Sequence, residues 1–224
     1  MSTYTNPTLN EIRTINGTRV QWDGTKWKNL THGNHGLRIQ ALERLTYKSL
    51  QDVLADSSLA DADEGTKVEW QGYYTQSDGG GNWGVLKKGN STGLVDDGVS
   101  LFVIVNDAVN GVWIEASLKG DSVNIRKAGA KSGDSSFDSS AAVTAILNAG
   151  LTPKVPDGDF YGYDTVVIDN RTIKGVSRER SKWHSRVINK PAFKIINSAT
   201  ANTTNRSDMK SFSVIGQEDP LNNS

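Results

Sequence analysis

From Lys67 onward, apolar and polar residues alternate with period two, the pattern of half-buried strands. KVEWQGYYTQSDGGGNWGVLKKG reads as two strands around a flexible turn at Asp78-Gly79-Gly80-Gly81. Leu101 to Val105 is an apolar run, and Asn110-Gly111 supplies the turn into a return strand. Together these predict a compact β domain over 63–121. Trp70, Trp83 and Trp113 are read as its core in preference to a sugar-stacking platform.

The pattern is different before it. Residues 11–29 contain Asn16-Gly17 and Asp23-Gly24, both suited to type I′ turns, between short β-prone runs. They predict a three-stranded meander within 1–35, with Trp22 and Trp27 on one face. So small a sheet has almost no core, and it must lean on copies of itself or on a partner. Two helical stripes follow, giving a helical linker over 36–62. The first is Leu37, Ala41, Leu42 and Leu45, and the second is Leu50, Val53 and Leu54 after a break near Thr46. Ser49 is the cap expected for the second. The first stripe suits a seam between chains or packing on the chain's own sheet.

Beyond residue 121 a single short helix interrupts the strand signals. Ala141, Ala142, Ala145 and Ile146 recur at helical spacing, Asp138 can cap the following amides, and Gly150 offers a left-handed stop. Its small side chains predict close approach to another surface. The later strands are short and apolar: Val166 to Ile168, Val187-Ile188, Phe193 to Ile196 and Phe212 to Ile215. Their spacing of about twenty residues is that of a coiled β solenoid. Two incomplete coils bury too little to stand alone, and the closing DPLNNS adds no cap, so the solenoid is expected to be incomplete.

Composition narrows the chemistry. The 224 residues balance 25 Lys and Arg against 25 Asp and Glu, so no overall charge draws the chain to nucleic acid or membrane. Cysteine is absent, which removes disulfides, thiolate metal sites and cysteine nucleophiles. The N-terminal MSTYTNPTLNE does not read as a secretory signal. His32 and His35 have ligand-like spacing but no third histidine nearby, and His184 is remote, so no metal or other cofactor is expected. Asp96-Asp97, Asp134 with Asp138, and Asp157 with Asp159 are the carboxylate pairs. Glycoside cleavage needs two such groups about 5–10 Å apart across a sugar, whereas these lie in turns and at a helix start, where Asp is favoured for backbone reasons. No catalytic residue is assigned. The most uneven charge is Arg171 to Lys194, with eight Lys or Arg against Glu179 alone. Arg171, Lys174, Arg178, Arg180, Lys182 and Arg186 form either a solvated loop face or a patch for an anionic capsule or a tail partner. Nucleic acid is disfavoured, because Trp183 is the sole interleaved aromatic.

Three stretches resemble the tailspike proteins of tailed bacteriophages. They are GTKVEWQGYYTQSDGGGNWGVL, VNIRKAGAKSGDSSFDSSAAVTAILNAG and VPDGDFYGYDTVVIDNRTIKG, and the likeness covers roughly residues 65–216. Ala128 stands where the family usually has an aromatic, and Ser135, Ser136, Ser139 and Ser140 partly replace its acidic cap. The resemblance implies a mainly β chain. A small meander, a helical linker and an adaptor domain lead to a capping helix and the first coils of a right-handed, pectate-lyase-like parallel β-helix over 122–224. It further implies a homotrimer on the virion tail, assembled in the host cytoplasm and docked on the tail, the baseplate or another tailspike through the meander. The later β-helix would recognise capsule or O-antigen. The competing implication is a glycan depolymerase, a glycoside hydrolase or polysaccharide lyase, whose active site lies mostly beyond these residues or is built from the first coils; in the related tailspikes catalysis belongs to later coils or to grooves between chains.

Overall fold

The computed structural model describes strands 12–15, 18–22 and 27–30 near the N-terminus, and residues 44–187, 189–196 and 207–216 beyond them. The chain divides into two units, Met1–Ala41 and Leu42–Ser224, each described by itself. In the first, β1 (Ile12–Ile15), β2 (Thr18–Trp22) and β3 (Trp27–Leu30) form the expected antiparallel meander. Ile15 pairs with Thr18 across Asn16-Gly17, and Trp22 pairs with Trp27. The turn expected at Asp23-Gly24 lies outside the described residues. The side-chain packing expected of Trp22 and Trp27 lies outside the described residues, as do His32, His35, Leu37, Ala41 and Leu42.

The second unit opens with a correction. The helical stripe was expected to run through Leu45, but Arg44–Tyr47 is a strand, β4, pairing in parallel with β5 (Lys67–Trp70). The Arg-Leu-Thr-Tyr alternation has period two, and an available edge on β5 lets Leu45 pack on that sheet's core. Helix α1 (Leu50–Ala55) starts as expected at Ser49, which exchanges hydrogen bonds with Asp52 in a capping box. A 3-10 turn, Ser57–Ala60, follows. Strands β6 (Asn82–Gly89), β7 (Leu101–Val105) and β8 (Gly111–Ala116) complete a five-stranded sheet in the order β4-β5-β6-β8-β7. Leu50, Val53 and Leu59 cover its inner face, against Val68, Trp70, Leu86, Phe102, Val112 and Ile114. The segment read as a linker therefore supplies much of this core. Of the three tryptophans only Trp70 is buried. Trp83 and Trp113 stand on the opposite face, half-exposed, because their register sets them beside Glu69 and Lys87.

The Asp78-Gly79-Gly80-Gly81 segment is a tight knot and not a flexible turn. The Asp78 carboxylate accepts N–H bonds from Tyr73, Tyr74, Thr75 and Gly80 at 2.8–3.1 Å. Gly80 permits the packing: a Cβ there would stand 2.5 Å from Tyr73 Cβ and 2.6 Å from the Arg126 carbonyl oxygen. Burial works against ionisation of Asp78, but the N–H groups of Tyr74, Gly80, Tyr73 and Thr75 outweigh it and hold its carboxyl below the usual range. A carboxyl depressed in the folded state stabilises above its unfolded pKa, near 4, and loses that contribution as pH falls through the folded value. Asp78→Asn is expected to lower stability at neutral pH by about 1–3 kcal/mol. Its urea midpoint should also change less than the wild type's between pH 5 and pH 3, as followed by circular dichroism.

After β9 (Ser122–Asn124), a 3-10 turn (Ile125–Ala128) and helix α2 (Ser140–Asn148), the chain winds into stacked parallel coils. The first is β10 (Thr152–Val155), β11 (Gly158–Gly162) and β12 (Val166–Asp169). The second is β13 (Thr172–Gly175), β14 (Ser181–Ser185) and β15 (Phe193–Ile196), and β16 (Asp208–Lys210) and β17 (Ser213–Ile215) start a third. They form three parallel sheets, β9-β10-β13-β16, β11-β14-β17 and β12-β15. Of the strand expected at Val187-Ile188, Val187 lies outside any strand and Ile188 outside the described residues; the strand of this coil is Ser181–Ser185. Its buried positions are serines around Trp183, so its apolar content is too low to read. Trp183 is 0% exposed, in register with Phe160 and 5.3 Å from the Phe193 ring, and so offers no stacking surface to a nucleic acid. Gly162 makes room for it, since a Cβ there would lie 2.4 Å from the indole. Trp183→Ala is expected to cost about 3–5 kcal/mol in a denaturant melt.

Candidate functional site

Helix α2 packs against β10, β12 and the Ile125–Ala128 turn, closing over the interior of the first coil. It buries Ser140, Ala142, Val143 and Ile146, with Ala145 half-buried. Ala141, expected on that stripe, is exposed, and Val143 takes its place. Asp138 lies one residue before the helix cap. Its Oδ1 accepts from Ser140 N at 2.8 Å and from Tyr163 N at 3.0 Å, tying the helix start to the end of β11. Gly150 follows the helix with φ +77°. Asp138→Ala removes both contacts and is expected to destabilise the coil by about 1–2 kcal/mol, read as a lower urea midpoint.

The outer face of the first parallel sheet carries two rows of polar side chains. Val123, Pro153, Val155 and Ile173 turn inward, so their neighbours turn outward. One row is Ser122, Thr152, Thr172 and Asp208, and the other is Asn124, Lys154, Lys174 and Lys210. Adjacent strands stand about 4.8 Å apart, where two like charges in water repel by about 1 kcal/mol. Lys210 is paired to Asp208 at 3.0 Å, while Lys154 and Lys174 make no ion pair among the described residues. Lys154 and Lys174, in register without a counter-charge, therefore add nothing to the chain's own stability through their charges.

Lys154 also borders a cleft of about 570 Å³ between the five-stranded sheet and the entrance to the coils. Its walls include Trp83, Asn82, Lys119, Asn124 and Lys127, and Trp70 lies beneath. Lys127 reaches Asn82 Oδ1 at 3.2 Å, and burial, helped by the charge of Lys119, holds its ammonium below the ordinary lysine pKa. Lys67 Nζ stands 4.3 Å over the Trp83 ring. Trp70 is 2% exposed, and its indole N–H has no hydrogen-bond partner among the described residues. Glu69, the acidic wall residue, is tied to Arg44.

The residues singled out by sequence are dispersed. Arg171 lies by Gly150, and Arg178 is exposed in the turn between β13 and β14. Arg180 is neutralised by Asp157 at 2.9 Å. Lys182 stands in register with Asp159 on the second sheet, and Arg186 lies 5.4 Å over the Tyr161 ring. Only Lys174 joins the lysine row, so the basic run is not one patch. His184 binds Asp159 at 2.7 Å and stacks on Tyr161. Among the other carboxylates, Asp134 holds Ser136. Asp97 accepts from the Ser100 hydroxyl and from the N–H groups of Val99, Ser100 and Leu101. Asp96 accepts from Gly98 N at 2.8 Å, so each of these aspartates closes a turn or neutralises a neighbour. Lys119, Lys154 and Lys210 were missed because they are isolated in sequence, and Lys127 because it and its neighbour Arg126 do not extend into a longer basic run. Only the strand register brings Lys154, Lys174 and Lys210 together.

No protein-family model matches the sequence, and no curated protein sequence matches it. Solved structures do. A tailspike of an Acinetobacter phage superposes with TM-score 0.58 at 18% identity, over 80% of this chain and 32% of its own. The full-length tailspike protein 2 of an Escherichia coli O157:H7 bacteriophage gives 0.56 at 18% identity, over 100% of this chain and 29% of its own. A tailspike of Acinetobacter baumannii bacteriophage Fri1, described as a capsular polysaccharide depolymerase, gives 0.52 at 13% identity, over 77% and 38%. The chain has the mainly β fold of phage tailspikes, as its sequence suggested. It spans about a third of the length of the tailspikes it matches.

Proposed function

We propose that this chain is part of a homotrimeric phage tailspike, a structural virion protein that fixes the spike to the tail and carries a β-helix used in host adsorption. The observation that carries the reading is the succession of elements: small meander, five-stranded sheet, covering helix and parallel coils, in a fold that superposes along its whole length on a complete tailspike. In this reading residues 1–35 dock on the tail, the baseplate or another tailspike through Trp22 and Trp27. The five-stranded sheet is the adaptor between that element and the coils. The seam between chains rests on Leu37, Ala41 and Leu42, since Leu45 is committed to its own sheet. Among the described residues the three coil sheets end on β15, β16 and β17, edges on which further coils can stack. Capsule or O-antigen would be recognised by the β-helix. No helix among the described residues is long and apolar enough to cross a membrane.

A second reading, a glycan depolymerase, is favoured by the description of the Fri1 tailspike. The two are separated by measurement. Light scattering should give close to three times the chain mass of 24.3 kDa. Deleting residues 1–31 should leave the circular dichroism of the coils intact yet remove the spike from purified virions, read by immunoblot. A monomer, or normal spike content after the deletion, overturns the structural assignment. Release of oligosaccharides from capsule or O-antigen by the 224-residue chain would establish the depolymerase.

A further inference from the structure

The lysine row and the cleft meet at Lys154, and together they display three kinds of group. Ammonium groups come from Lys119, Lys127, Lys154 and Lys174. Amides come from Asn82 and Asn124, and hydroxyls from Ser122, Thr152 and Thr172. At one end stands the half-exposed ring of Trp83, over which Lys67 Nζ lies 4.3 Å from the ring centre, a further ammonium beside any sugar held there. Ammonium groups recognise carboxylates, amides and hydroxyls recognise sugar hydroxyls, and an indole accepts the C–H face of a pyranose. The row repeats from one coil to the next: Thr152 with Lys154 on β10 is followed by Thr172 with Lys174 on β13, flanked by Ser122 with Asn124 on β9 and by the Asp208–Lys210 ion pair on β16. A polymer with recurring carboxylates and hydroxyls matches such a track.

We infer that the cleft and the lysine row form a binding site for an acidic, uronate-type polysaccharide, with one sugar against Trp83 and its carboxylates on Lys127, Lys154 and Lys174. A nucleic acid is the poorer fit. Its bases call for several stacking aromatics, whereas Trp83 is the aromatic ring beside this row. The site would select the charge class of the glycan close to the covering helix, on residues other than the basic run Arg171–Lys194 apart from Lys174. It rests on the tailspike reading only for the source of the glycan, because binding to a purified polyuronate is measured without phage.

The test is isothermal titration calorimetry of the complete 224-residue chain with three probes: an alginate oligosaccharide, a neutral dextran oligosaccharide of equal length, and oligothymidylate. Alginate should bind, and more weakly as salt is raised. Lys154→Gln with Lys174→Gln should weaken it by about tenfold or more, and Trp83→Ala should weaken it as well. Arg178→Gln with Arg180→Gln should leave it unchanged. The lysine variants are exposed substitutions, and circular dichroism identical to wild type shows that their fold is kept. Should Trp83→Ala unfold the sheet, the lysine pair decides alone. Equal binding of dextran overturns the acidic class. Oligothymidylate binding as tight as alginate and indifferent to Trp83→Ala overturns the glycan in favour of any polyanion. No alginate binding, or wild-type binding by the lysine pair, overturns the site. A lower assembly mass in that variant assigns the row to a second copy of the chain and overturns it too. Virions carrying the lysine variants should keep their spike, so this failure and failure of the tail-attachment reading are told apart.

Discussion

Register between successive coils is the constraint on which the rest depends. Phe160 sits under Trp183, and Val155 and Ile173 belong to the same interior, because β10 to β12 are repeated in parallel by β13 to β15. A slip of one residue would turn each of these side chains to solvent and bring their polar neighbours inside. The apolar interior therefore fixes the outer surface as well. Lys154, Lys174 and Lys210 are aligned outside because Pro153, Ile173 and Met209 are aligned beneath them.

The same logic explains what could be read from the sequence. Val166 to Ile168 and Phe193 to Ile196 announce themselves as apolar runs, and both are strands of one sheet. Ser181–Ser185 does not, because its inward serines are polar and hold the turn by bonding backbone: Ser181 Oγ donates to the Val155 carbonyl oxygen and accepts from Val176 N. Thr152–Val155 and Asp208–Lys210 are similarly short and mixed. Composition cannot reveal a strand whose inward positions include serine, proline and methionine.

Helix α2 was legible from spacing, and its partner surface from resemblance, but not its rotation: Ala141 faces solvent where Val143 is buried. Small residues signal close approach without saying which side makes it. Leu45 is the converse case. Its stripe with Leu37, Ala41 and Leu42 is periodic, yet pairing of Arg44–Tyr47 with β5 satisfies backbone groups that a frayed helix end would leave open. The candidate site was the least legible part. The lysines of its row come from separate coils, Lys119 and Lys127 come from the segment before them, and Trp83 was assigned inward because a lone tryptophan in a strand does not disclose its face.

The knot around Asp78 has a mechanical side. Four N–H groups converge on one carboxylate, and the loop they gather is pressed on Arg126 at the entrance of the coils. All four bonds lie within residues 73–80, so the loop holds its own shape and brings little conformational freedom to lose where it meets Arg126. The entrance of the coils is thus met by a part that is already rigid.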